Sequence, residues 1–457
     1  MSKIKIPHTL VLMFMMMMAA LVLTWVLPTG SFERQMVDGQ TVVTPGSFEL
    51  HEDAEILGPQ TLLTVIPRAL AAAQDVIFFV FLIGGVLGII RHTGALDAVI
   101  GKMLQKFGDR MGLLIFSGMF IFGLFSSLIG MAAEYVVFVG LLVGLCRAIK
   151  LDAMVAMGIL VVGYGVGYGL SLFNPFTVVI AQAIAEVQPG SGAWLRIALL
   201  VPIFLVGFHH VYSYAKKVKA DPKNSLLYDV PGDEVISDPD AYPDFNRTHI
   251  MVLVAFGLTL ATLVYGISQQ GWYLTELSAL FVGLGIATIF IGRIKFDEAA
   301  QKFIDGAAQL TATALLVGFA RSIAMILEDG QVLDTVIYYL SMPIDMMGSY
   351  FGAVGMLLIQ SLLNLFIPSG SGQAFVTMPI MVPIADTAEI GRQVAVLAFQ
   401  MGDGFMNMIV PTNPVLMGIL GLAGIPYDRW FRFMAPLMLK LLVVCSLALM
   451  FAVLVGY

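Results

Sequence analysis

The chain has 457 residues, of which 59% are hydrophobic and 12% charged, with a net charge of −7 and a mean hydropathy of +0.90. A water-facing surface needs about twice that charge density, and there is no basic field for nucleic acid. Disordered chains, disulfide scaffolds and nucleic-acid binders are excluded, and an all-α polytopic membrane protein is expected.

Lys3 and Lys5 precede an apolar run over 6–27. It is too long for a signal h-region and no small-residue cleavage site follows, so it reads as an uncleaved first span. Further spans are predicted near 74–92, 193–214, 248–268, 272–292, 309–327 and 434–456, with interrupted ones over 153–187 and 391–425. The stretches 112–150 and 349–388 are too long for one crossing and carry small or polar breaks, GMAAE at 130–134 and PSGSGQ at 368–373. Each reads as a re-entrant hairpin, giving nine spans and two hairpins. Cys146 and Cys445 lie far apart in apolar runs and read as buried thiols.

Basic residues set the sides. Lys3 and Lys5 place the N-terminus in the cytoplasm. The loop at 28–59, with Glu33, Asp38, Glu49, Glu52, Asp53 and Glu55 against Arg34, reads as outside. The basic stretch 91–110, the polar loop 216–247 and the loop holding Arg293, Lys295 and Lys302 read as inside. The C-terminus then falls in the periplasm.

An internal repeat underlies this order. GMAAE at 130–134, GYG at 163–165 and FNP at 173–175 each lie 239 positions before SGSGQ, GDG and TNP. The copies pair Glu134 with Gln373, Tyr164 with Asp403 and Asn174 with Asn413. Residues 1–215 form the first repeat, 216–247 a cytoplasmic loop, 248–271 a linking span that inverts the sidedness, and 272–457 the second repeat. Inverted repeats with helices broken near the midplane are the architecture of secondary transporters.

Pro175 and Pro414 lack an N–H and disfavour helix at the preceding Asn. A helix broken there must face protein or a wet cavity, because lipid cannot satisfy the freed backbone. Half-helix N-termini suit a carboxylate, and C-terminal carbonyls suit Na⁺ or an ammonium. Ser369, Gly370, Ser371, Gly372 and Gln373 form a small polar tip. Glu134 and Asp403 are the costliest residues in the predicted core. Each could carry a proton, bind Na⁺ or pair a cationic group. Arg321 could pair with one of them or snorkel to the outer interface. The VGYG within 163–169 reads as close helix packing, since a potassium filter needs four copies round one axis. No enzyme or ATPase motif is found, so no catalytic residue, resident metal or cofactor is expected beyond Na⁺ or H⁺ coupling.

The IPHTLVL opening, WVLPTGSF, the GMAAE and PSGSGQ tips and the FNP/PTNP pair resemble the YfcC family. That family lies in the dicarboxylate carrier group of the ion-transporter superfamily, which includes arginine/ornithine antiporter-like members. The resemblance implies an elevator-type secondary transporter of the bacterial inner membrane, a homodimer whose hairpins and broken helices move against a scaffold. On this reading Ser369, Ser371, Asn174, Thr412 and Asn413 hold a substrate carboxylate, while Glu134 and Asp403 take an ammonium, a proton or Na⁺. Two fixed carboxylates would repel a dicarboxylate, which favours an amino acid, including a basic one. A cation-coupled four-carbon dicarboxylate carrier is the alternative, and a channel the alternative of another class. The expected partners are a small-molecule substrate, membrane lipid and a second copy, with no nucleic acid.

Overall fold

A computed structural model describes residues 9–37, 40–44, 46–51, 56–98, 102, 110–174, 176–230, 243–270, 272, 274–308 and 310–457. Pro175 lies outside these residues, as does the side chain of Glu134. The chain is mostly helical. Among the described residues four helices are long and apolar enough to cross a bilayer: Met111–Leu128, Ala193–Ala220, Thr275–Gly292 and Tyr427–Leu454. A fifth is obtained if α2 (Thr61–Ala72) and α3 (Gln74–His92), bent by 63°, form one span. The other predicted spans fall on helices outside this set, beginning with α1 (Thr9–Val26).

The acidic loop after α1 is more ordered than its composition suggests. Strands β1 (Gly30–Ser31) and β4 (Glu49–Leu50) pair, as do β2 (Arg34–Val37) and β3 (Gln40–Val43), both antiparallel. Asp334 clamps this module by accepting from the Phe32 amide at 3.0 Å and from Arg34 at 2.8 Å. Phe48 stacks on Tyr338 with ring centroids 4.1 Å apart.

In the first half, α4 (Met111–Ile129) ends at Gly130, whose φ of +76° lets the chain turn without a Cβ penalty. A 3-10 turn at Ala133–Phe138 and α5 (Val139–Ala148) follow. The chain doubles back, because the Tyr135 hydroxyl reaches the Phe122 carbonyl of α4 at 2.8 Å. Helix α6 (Ala153–Met157) then passes through a π-helical segment, Gly158–Val162, into α7 (Gly163–Gly169), and α8 (Val178–Ile184) resumes after an irregular break. π segments inside helices frequently mark functional sites.

Helix α9 (Ala193–Ala220) runs five residues into the predicted cytoplasmic loop. Residues 221–230 are not a free linker either. Asp152, the N-cap of α6 through Val155 N at 3.0 Å, also accepts from the Tyr214 hydroxyl at 2.5 Å and Ser225 at 2.6 Å. Arg429 holds the same strap through Leu226 O at 3.2 Å and Asp229 at 2.7 Å. Helices α10 (Arg247–Gln270), α11 (Leu274–Gly292), α12 (Phe296–Ala308), α13 (Thr311–Asp329) and α14 (Leu333–Ser341) lead into the second half. There α15 (Gly348–Asn364) and α16 (Gly370–Thr387) flank the second tip. Helix α17 (Arg392–Met406) breaks before α18 (Pro414–Ala423), and α19 (Tyr427–Leu454) closes the chain. That last helix starts seven residues before its predicted span, because Pro426 supplies an extended N-cap (φ −60°, ψ 137°).

The GYGVGYG segment packs as a helix. A Cβ on Gly167 would lie 1.9 Å from the Gly123 carbonyl oxygen of α4, so α4 and α7 touch backbone to backbone. Gly167→Ala should therefore lower the melting temperature by several degrees. Gly257→Ala, where nothing lies within 4 Å, should leave it unchanged. Thermal unfolding in detergent checks the pair, and equal midpoints for both variants would contradict this packing.

Candidate functional site

Two helix interruptions have to be satisfied internally, and each is knitted to its own hairpin. In the first half the Ser127 carbonyl of α4 accepts from Leu172 N at 3.0 Å and Phe173 N at 3.2 Å. Ser171 donates to the same carbonyl at 3.1 Å and accepts from Asn174 N at 3.1 Å. Asn174 is fully buried, caps Phe176 N through Oδ1 at 2.8 Å and packs against the tip residue Gly130. In the second half Thr412 donates to the Leu365 carbonyl at 2.8 Å. Asn413 accepts from Leu416 N at 3.0 Å and donates to Asn407 Oδ1 at 2.7 Å. The break carbonyls of Met408 and Ile409 are taken by Trp430 Nε1 at 2.8 Å and the Tyr427 hydroxyl at 2.7 Å. Those two carbonyls are thus committed to the protein rather than presented to a cation.

A buried polar network lies behind the second tip. Asn364 Nδ2 donates to Asp403 Oδ1 at 2.9 Å and is within 3.2 Å of Gln373 Oε1 and 3.3 Å of Asn407 Oδ1. Asn407 Nδ2 adds a second bond to Asp403 Oδ1 at 3.1 Å. Gln373 donates to the Gln360 side-chain oxygen at 2.7 Å, and Gln360 Nε2 donates to Thr377 at 2.9 Å. Four residues back on α15 correspond to four forward on α16, as antiparallel arms require. Asp403 is fully buried and Arg321 does not reach it; Arg321 instead pairs with Glu328 at 2.9 Å.

The halves meet at Gly370. A Cβ there would lie 2.5 Å from Thr177 Cγ2, 2.7 Å from the Tyr168 hydroxyl and 3.1 Å from Asp403 Oδ2. Gln400, one turn before Asp403, donates across to the Tyr168 carbonyl at 2.5 Å and to Thr177 at 3.1 Å. Among the described residues Asp403 Oδ2, Asn364 Oδ1 and Gln400 Oε1 are buried acceptors with no hydrogen-bond partner, and Asn174 Nδ2 is a buried donor with none. Leaving such groups unpaired costs about 1–3 kcal/mol each, so this arrangement suits a proton, a cation or water.

In front of the tip is a cavity of about 890 Å³. Ser369, Gly372, Thr412 and Pro414 line it together with Arg321 and Glu328 of α13 and with Arg34 and Asp334. The predicted site therefore divides. Ser369, Gly372, Thr412 and Pro414 face the cavity. Gly370, Gln373, Asp403 and Asn413 sit buried in or beside the network, and Ser371 is half-buried on the tip. Asn174 belongs to the first break. The backbone of Glu134 lies in the 3-10 turn after the first tip. Sequence reasoning missed Asn364, Gln360, Thr377, Gln400, Asn407, Tyr168 and Thr177. Gln400, Asp403 and Asn407 form a polar stripe on one face of an apolar helix, which was the available signal.

An apolar helical fold with paired helix breaks and a buried carboxylate is an arrangement that membrane transporters use. The family model of the DcuC C4-dicarboxylate anaerobic carriers matches residues 6–454, and the chain belongs to that family. It is 31% identical to YfcC of Escherichia coli K12, provisionally named a basic amino acid antiporter, over 99% of this chain and 97% of that one. It is 28% identical to an uncharacterized Haemophilus influenzae protein over 97% of this chain and 96% of that one. Among solved structures it is similar to the Alcanivorax borkumensis YdaH transporter, with 16% identity, 99% coverage of each chain and a TM-score of 0.44.

Asn364→Ala removes the donor shared by three acceptors around Asp403. It should cost about 2 kcal/mol or more, read as a lower midpoint in thermal unfolding. A midpoint equal to the wild type would mean that the network does not hold the second tip.

Proposed function

We propose that the chain is a secondary active transporter that moves a small charged metabolite by an elevator mechanism. The two hairpins and the two interrupted spans are the moving part, and the other seven of the nine spans supply a scaffold that dimerises. The chain sits in the bacterial inner membrane with its N-terminus in the cytoplasm and its C-terminus in the periplasm. The observation that carries this reading is the unpartnered Asp403 oxygen directly behind a polar tip that lines a cavity. A carboxyl group there serves as the coupling site for H⁺ or Na⁺, whose arrival or departure alters the packing of the tip.

The substrate leans to an amino acid, including a basic one. The cavity's charged residues are matched, Arg321 with Glu328 and Arg34 with Asp334, which suits a zwitterion better than a dianion. Ser369, Ser371 and Thr412, beside the N-termini of α16 and α18, are the carboxylate side of the site, and Glu134 joins Asp403 in taking positive charge. Asn174 offers an unpartnered amide donor. Asn413 acts by holding the second break. A cation-coupled four-carbon dicarboxylate carrier is the second reading, favoured by the family's description and by a cation that would neutralise Asp403.

Counterflow in proteoliposomes tests these readings. Internal unlabelled arginine should accelerate uptake of labelled arginine, and Asp403→Asn should lower exchange at least tenfold or abolish its pH or sodium dependence. Acceleration by succinate alone would select the dicarboxylate reading. A current without exchange would indicate a channel. Unchanged kinetics and ion dependence in both Asp403→Asn and Glu134→Gln would refute the coupling roles.

A further inference from the structure

A second cavity, of about 390 Å³, lies at the other end of α18. Pro414 at the start of α18 lines the outer cavity, whereas Gly421 and Leu422 near its end line this one. Its remaining walls come from α3 and α12 on one side and from the 3-10 turn and α5 on the other, with Val136 and Gly140 among the lining residues. The positive-inside pattern puts Arg91 and Lys302 toward the cytoplasm.

The lining is basic. Arg91, His92 and Lys302 face Asp305 alone among acids. His92 is engaged by Glu298 at 3.0 Å, and Asp305 accepts from Gln301 Nε2 at 2.9 Å. Arg91 and Lys302 make no ion pair among the described residues. Arg91 is also seated closely, since a Cβ on Gly140 would lie 2.1 Å from its Nη2. The cavity therefore presents a planar guanidinium fork and an ammonium, with one acid against them. An arginine fork with a lysine point charge is a donor set suited to phosphate oxygens. Basic pockets between transmembrane helices on the cytoplasmic side commonly receive acidic lipid headgroups.

We propose that this cavity binds a phosphate-class anion, held by Arg91 and Lys302. The anion is the headgroup of an acidic lipid or free phosphate. Its place between α3 and α12 on one side and α5 and α18 on the other makes it a bridge between packed groups of helices. The binding claim stands apart from the transport reading, because it is measured without transport.

The test uses the purified full-length chain in neutral detergent. Thermal midpoints are measured with phosphatidylglycerol against phosphatidylcholine, and with potassium phosphate against potassium chloride at equal ionic strength. At least one phosphate source should raise the midpoint by about 2 °C or more. That rise should fall to a third or less in the Arg91→Gln/Lys302→Gln double variant and persist in Lys223→Gln, which removes an exposed charge elsewhere. Each variant is compared with its own anion-free midpoint, and Lys302→Gln alone serves if the double variant does not fold. A rise with phosphate identifies a free-anion site, and a rise with phosphatidylglycerol alone a headgroup site. No rise from either source, or an equal rise in the cavity variants and Lys223→Gln, overturns the proposal.

Discussion

A helix interrupted inside an apolar slab leaves backbone groups that lipid cannot satisfy, and that constraint organises this molecule. Each unsatisfied group costs several kcal/mol in hydrocarbon. The chain answers with two hairpins whose first arms accept from the breaks: Ser127 O serves the first and Leu365 O the second. The asparagines before the two prolines cap the segments that follow, through Phe176 N and Leu416 N. Tyr427 and Trp430 at the start of the last helix take further break carbonyls. What the breaks retain is a tip that can face water and a buried network that can hold charge.

The two halves answer that constraint alike but are specialised differently. The first uses hydroxyls, Ser127 and Ser171, and close glycine contacts. The second concentrates amides and a carboxyl, Gln360, Asn364, Gln373, Asp403 and Asn407, around one buried point. Tyr164, 239 positions before Asp403 in the sequence, packs against Tyr135 with ring centroids 5.9 Å apart. Of these two positions only the second carries a charge-bearing group. Gln400 and Gly370 join the halves through Tyr168 and Thr177.

Much of this arrangement was legible from residue types. Asn-Pro pairs and small polar tips are rare in apolar runs and stand out individually, and so does a lone Asp within one. Asn364, Gln360 and Gln400 were harder to see, because an amide in a long apolar arm costs less than a charge and has no spacing motif. Their roles come from tertiary pairing between α15, α16 and α17, which periodicity within one helix does not encode. The β-strands were hidden in an acidic loop that Asp334, about 300 residues away, clamps through Phe32 N and Arg34. Likewise the strap at 221–230 looks like a linker until Asp152, Tyr214 and Arg429 are placed beside it.

The central claim is that the second tip meets water on alternate sides of the membrane. Ser369→Cys reports on it directly, since Ser369 is exposed and both native cysteines are buried. A membrane-impermeant maleimide, applied to right-side-out and inverted vesicles, should modify the new thiol from each side, with substrate or coupling ion shifting the balance. Modification from one side alone under every ion and substrate condition would contradict alternating access.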